Sequence, residues 1–169
     1  TTPQRLDGSK TGLYSDFSPT STAGVVADDN AVAFTLNADD VNAIKWLAAN
    51  EKGLLAGTSR GEWQVKASAL NEAITPTNIS AKPSTRHGSA NAAPVPAGKA
   101  VLFIQRAGRK LRELAYVFEA DGFKAPDMTL LAEHITRPGL TELAYQEQPQ
   151  AIVWGVRSDG VLLGFTYER

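Results

Sequence analysis

Ile152-Val-Trp-Gly-Val-Arg-Ser-Asp-Gly-Val-Leu-Leu-Gly-Phe165 places two apolar, β-rich runs on either side of Asp159-Gly160. That dipeptide is a strong short-range hairpin signal, because a two-residue type I′ turn needs positive φ at both central positions. Two other stretches have the same form: Gly53-Leu-Leu-Ala-Gly-Thr-Ser-Arg-Gly-Glu-Trp-Gln-Val65 around Gly61, and Val101-Leu-Phe-Ile-Gln-Arg-Ala-Gly-Arg-Lys-Leu-Arg-Glu-Leu114 around Gly108. A weaker copy surrounds Gly12, with Leu13, Tyr14 and Phe17 beside it. The four glycines are 49, 47 and 52 residues apart. A period of about 50 residues with β-type sequence in each copy marks repeated sheet modules, most often propeller blades.

A further apolar stretch precedes the first and third clear hairpins, at residues 41–47 and 140–145. Strand, strand, turn, strand is most of a four-stranded blade. The predicted fold is therefore all-β: consecutive antiparallel sheets, propeller-like, with approximate blades at residues 1–36, 37–82, 95–125 and 140–169. Three to four blades fall short of the usual ring of about four to eight, so a partial propeller within a larger protein is expected. The start at Thr1 rather than Met, and the end at Arg169 in strand-like sequence, fit an internal fragment. Val161, Leu163, Phe165 and Tyr167 are then expected to lack a neighbouring blade and to favour self-association.

Residues 18–30 are small and polar enough for a surface loop, and residues 31–36 alternate as a strand. Residues 83–98 hold Pro83, Pro94 and Pro96 and read as an irregular loop, since proline lacks the backbone donor that a central strand requires. One short helix is predicted over residues 126–135. Pro126 suits its first turn, Asp127 puts negative charge at its N-terminus, and Met128, Leu130, Leu131 and Ile135 supply an apolar face.

The chain has 169 residues, enough for a sizeable core. Its 17 basic and 18 acidic side chains give no global bias toward nucleic acid or an anionic membrane. The absence of cysteine excludes disulfides and thiolate chemistry. No apolar run approaches the roughly 18 residues of a membrane-spanning helix.

Little in the sequence points to a reaction. His87 and His134 stand 47 residues apart with no metal-binding spacing, so no metal or cofactor site is assigned. No Gly-x-Ser-x-Gly elbow is present. Gly57-Thr-Ser-Arg-Gly61 lacks the Gly-Lys-Ser/Thr ending of a phosphate loop and reads as a hairpin turn. The acidic pairs Asp28-Asp29 and Asp39-Asp40 lack a calcium-loop pattern and read as solvated turns. Arg106, Arg109, Lys110 and Arg112 put four cations within seven residues, a candidate surface for a partner subunit or weak contact with a DNA backbone. Trp46, Trp63, Phe103, Tyr116, Trp154, Phe165 and Tyr167 read as core between sheets. No catalytic residue is assigned. The alternative to a structural role is a carbohydrate-binding or glycoside-hydrolysing propeller, which would draw two carboxylates from Glu62, Glu113 and Glu168. Against it, Thr58-Ser-Arg-Gly-Glu-Trp63 lacks the aspartate of the Asp-box turn common in sialidase propellers.

Several stretches are familiar together. They are Asn42-Ala-Ile-Lys-Trp-Leu47, the Gly53 hairpin through Trp63, Ala73-Ile-Thr-Pro-Thr-Asn78, His87-Gly-Ser-Ala90, Val101 through Glu113, Pro126-Asp-Met-Thr-Leu-Leu-Ala-Glu-His134, Tyr145-Gln-Glu-Gln-Pro149 and Leu163-Gly-Phe-Thr-Tyr-Glu-Arg169. In this order, over nearly the whole chain, they resemble the nozzle or tubular tail proteins of short-tailed bacteriophages and prophages. The resemblance implies a non-enzymatic virion component that assembles with other tail subunits as rings around the DNA exit channel, after synthesis in the host cytoplasm. Family members are several times longer, so the resemblance makes this chain an internal part. It carries over no catalytic residue.

Overall fold

A computed structural model describes residues 2–38, 41–69 and 72–168. The fold is all-β, built from four consecutive antiparallel sheets and one short helix. Strands β1 (Arg5–Gly8) and β2 (Val32–Thr35) pair alone. Next comes a four-stranded meander of β3 (Ile44–Asn50), β4 (Gly53–Thr58), β5 (Glu62–Ala67) and β6 (Ile79–Thr85). A second meander contains β7 (Val95–Ala97), β8 (Ala100–Ile104), β9 (Leu111–Val117) and β10 (Gly122–Lys124). The last sheet has three strands, β11 (Leu140–Gln146), β12 (Ile152–Arg157) and β13 (Leu162–Thr166).

The repeat in the sequence is the hairpin between the second and third strands of each meander. Its tips lie at residues 59–60, 106–109 and 158–160. Another device recurs with it: the first strand of the first meander has a register shift between Ile44 and Trp46, and β11 has one between Leu140 and Glu142, each facing the end of the second strand. Bulges of this kind increase local twist without breaking the pairing. The Asp159-Gly160 hairpin forms, but not with the expected type I′ turn. Only Gly160 has positive φ, at 86°. Its N–H donates to the Arg157 carbonyl, and the Arg157 N–H donates to the Val161 carbonyl, which makes a three-residue loop with glycine in the left-handed position. Gly108 repeats that conformation, whereas Gly61 has no positive φ and Gly12 lies outside any strand pair.

The sheets pack face against face in chain order, with a core between each neighbouring pair. Leu6 and Phe34 of the first sheet, with Leu36 just beyond β2, meet Trp63 and Val65 of β5. Trp46 and Leu55 meet Val101, Phe103 and Leu114 across the two meanders, with the rings of Trp46 and Phe103 5.5 Å apart. On the other side of the second meander, Leu102, Ile104 and Leu111 meet Leu140, Val153 and Tyr167. Every residue of β8 is buried, because side chains alternate between two covered faces.

Three expectations change. The proline-rich segment is strand at both ends: Pro83 lies in β6 and Pro96 in β7, and both are edge strands, where a missing donor costs no ladder bond. The helix covers only Glu133–Thr136, not residues 126–135. The backbone at 126–128 instead extends the second meander, with Glu113 N–H donating to the Pro126 carbonyl and Met128 N–H to the Leu111 carbonyl, and Leu130 and Leu131 are exposed. Finally, Leu163, Phe165 and Tyr167 face the core shared with the second meander, while Val161 is exposed at the hairpin tip. The outward face of the last sheet carries Ile152, Trp154 and Leu162 instead.

Candidate functional site

The three hairpin tips share one end of the sheet stack, joined there by the segments that run from one sheet to the next. Ser89 N–H donates to the Thr58 carbonyl at the first tip (2.8 Å), and Arg106 N–H at the second tip donates to the Gly88 carbonyl (2.9 Å). Leu140 N–H then reaches the Gly108 carbonyl (2.7 Å), and Ser158 N–H the Gly139 carbonyl (2.8 Å). These bonds make the tips one continuous polar surface.

The four cations expected to act together are separated on it. Arg112 points between the meanders: its Nε donates to Gln105 Oε1 at 2.8 Å, and its Nη1 donates to the Ala125 carbonyl and stands 3.4 Å from His87 Nε2. Lys110 is held by Asp127 and Glu133, each at 2.8 Å. Those hydrogen bonds raise the Lys110 pKa. Burial opposes ionisation of Asp127, but Lys110 and the Thr129 hydroxyl and N–H outweigh it and hold the carboxyl below its ordinary value. Arg106 and Arg109 remain exposed at the second tip.

Two exposed arginines from other segments join them. Arg137 follows the helix and lines a cleft of about 370 Å³ with Arg109, Lys110, Glu133 and His134. Arg86 follows β6 and stands beside Gly61, while the Arg106 side chain lies over Gly88. Neither Arg86 nor Arg137 was legible as part of a cluster, since each stands apart from the 106–112 run in sequence. Only the hydrogen bonds between tips bring them together.

Glu62, one of the candidate carboxylates, is fully buried at the start of β5. It accepts hydrogen bonds from the hydroxyls of Thr85 and Ser89 (2.9 Å for the latter) and from the His87 N–H. Burial raises its pKa above the ordinary carboxylate value, against the opposing pull of those donors and of the Arg112 charge. Thr85 ends β6, and His87 and Ser89 lie in the segment that links the two meanders, so Glu62 ties the start of that crossing to β5. Burial lowers the pKa of His87, and the nearby Arg112 guanidinium lowers it further. Asn42 does comparable work at the first tip, where its Oδ1 accepts from Arg60 N–H at 2.9 Å and from the Ser59 hydroxyl at 3.3 Å.

The three carboxylates do not share a cleft. Glu113 follows Arg112 on β9, so alternation turns it to the opposite face from the Glu62 side, where it is buried. Glu168 is exposed beyond β13. The two histidines are likewise apart, His87 against Arg112 and His134 on the outer cleft. No group of three His, Asp or Glu side chains with a metal-binding arrangement occurs among the described residues. Asp28 accepts a hydrogen bond from Thr77, while the Asp39-Asp40 pair lies outside the described residues. Of the seven aromatics, six lie in or against the inter-sheet cores; Trp154 is on the outward face, with its Nε1 donating to Gln146 Oε1 at 3.0 Å. No helix among the described residues is long and apolar enough to cross a membrane.

No family model matches the chain, and no curated protein matches it.

Proposed function

We propose that this chain is a non-enzymatic structural module of a bacteriophage or prophage tail, in which stacked propeller-like sheets form a rigid scaffold and the loops meet neighbouring subunits. The observation that carries the reading is the face-to-face stacking of successive meanders with hairpin tips recurring about every 50 residues. Such an arrangement grows along the chain by adding sheets, each burying an apolar face that the one before leaves open. The resemblance of the Gly53, Val101 and Pro126 stretches to nozzle and tubular tail proteins supplies the biological setting. The carboxylates support a scaffold rather than a glycosidase. Both oxygens of Glu62 are occupied by hydroxyl donors in a buried position, and Glu113 and Glu168 lie elsewhere.

Phage particles purified from the source of this sequence provide the test. Gold-labelled antibodies raised against the chain should decorate the tail, and mass spectrometry of the particles should find its peptides. Peptides present in the host lysate but absent from intact particles would reject the reading. So would turnover of a chromogenic glycoside that is lost in Glu62→Gln or Glu113→Gln.

A further inference from the structure

We propose that Arg86, Arg106, Arg109 and Arg137 form a track that binds the phosphates of a nucleic-acid backbone. The four residues come from three segments, and the hydrogen bonds between tips gather them at one end of the stack. All four are exposed, and none makes an ion pair among the described residues. Three neighbouring cations differ in this respect. Lys110 is neutralised by Asp127 and Glu133, Arg157 by Asp159, and Arg112 is committed to Gln105 and Ala125. The end thus separates cations that hold the fold through their charged groups from cations that make no ion pair among the described residues.

Spacing and chemistry favour a phosphodiester chain over an acidic protein. Packed sheets stand about 10 Å apart, so three successive tips extend about 20 Å, the rise of roughly six nucleotides of one strand. Guanidinium groups match phosphate oxygens with paired N–H donors. Protein interfaces centre on an apolar, often aromatic core. The tips instead present Ser59, Arg60, Ala107, Gly108, Ser158, Asp159 and Gly160. The overall charge is −1, so attraction is local to this end and sensitive to salt. The proposal does not rest on the tail reading, and the binding experiment is blind to where the chain resides in a particle.

Fluorescence anisotropy with a labelled 20-base-pair duplex between 25 and 200 mM KCl tests it. Four phosphate contacts predict a slope of log K against log salt of about −3.6, or about −2.8 on a single strand. Arg106→Gln with Arg109→Gln should halve the slope to about −1.8 and weaken binding at least about tenfold at low salt. Arg86→Gln with Arg137→Gln should do the same, while Lys52→Gln with Lys66→Gln should leave binding unchanged. None of the six belongs to a buried cluster, although Lys52 lies over the Tyr116 ring, and circular dichroism should match the parent. Three outcomes overturn the proposal, the first two being no salt-dependent binding by the parent chain and full binding by both arginine double variants. Displacement of the duplex by poly-glutamate at equal charge concentration would reassign the surface to an acidic protein.

Discussion

The indole of Trp46 lies flat across Gly57, its direct partner on the adjacent strand, so closely that a Cβ at position 57 would stand 1.9 Å from Cε2. A bare Cα is thus what lets a large aromatic lie down at the junction of the two meanders and reach Phe103. Trp154 and Gly164 repeat the pairing more loosely on the outward face of the last sheet, where the corresponding distance is 3.2 Å.

Gly57→Ala should therefore force Trp46 off its seat and cost about 3 kcal/mol, the upper range for overpacking a tight core. Urea denaturation gives the magnitude, and loss of the native Trp46 fluorescence environment identifies the cause. Gly164→Ala should cost clearly less, because its neighbour has only a few tenths of an ångström to give.

Gly160 is constrained by backbone rather than by space, with φ at 86° and nothing near the position of an added Cβ. Gly160→Ala is expected to lose about 1–2 kcal/mol, the cost of placing an L side chain in the left-handed region. Gly160→Asn should recover part of it. Equal stability of the glycine and alanine forms would contradict the turn assignment.

Phe103 is fully buried between the two meanders. Phe103→Ala should destabilise by about 3–5 kcal/mol through the cavity it leaves. By contrast, Leu131 is 94% exposed, so Leu131→Ser should change stability by less than about 0.5 kcal/mol. Thermal or chemical unfolding of both variants separates a sheet-stack core from the amphipathic helix that residues 126–135 predict.

Glu62 has a pKa raised by burial above the unfolded value of 4.5. The folded chain then binds the proton more tightly than the unfolded chain, so stability from this group falls as pH rises from about 4.5 through the raised pKa. Glu62→Gln should flatten the dependence of Tm on pH above 4.5. An unchanged pH profile would show that Glu62 titrates alike in both states.

Asp16 behaves in the opposite sense. Hydrogen bonds from the Ser18 hydroxyl, and then from Lys10, lower its pKa to about 2. Its contribution is complete above the ordinary value of 3.8 and is lost as pH falls toward 2. The carboxyl carbon resonance of Asp16 should titrate near 2, and Lys10→Gln should move it upward.

What the sequence determined by itself is the β architecture and its period, because a strand pair joined by a tight turn is written in neighbouring residues. The alternation around Gly61, Gly108 and Gly160 suffices to place the hairpins, and six of the seven aromatics beside them are legible as core, with Trp154 on the outward face instead. Turn detail was only half legible: Asp-Gly marks a hairpin, but the conformation of Asp159 follows from where Arg157 and Val161 pair. Tertiary structure decided everything that depends on which strand lies at an edge and which face is covered. Pro83 and Pro96 are compatible with strands because β6 and β7 are outermost. The helical spacing of Met128, Leu130, Leu131 and Ile135 was overridden because the chain gained backbone hydrogen bonds along β9 at 126–128. The same holds for the charged end. Four cations adjacent in sequence were parted by strand alternation and ion pairing, while Arg86 and Arg137 joined Arg106 and Arg109 across long loops, since proximity at a sheet end is set by the stacking of sheets and not by distance along the chain.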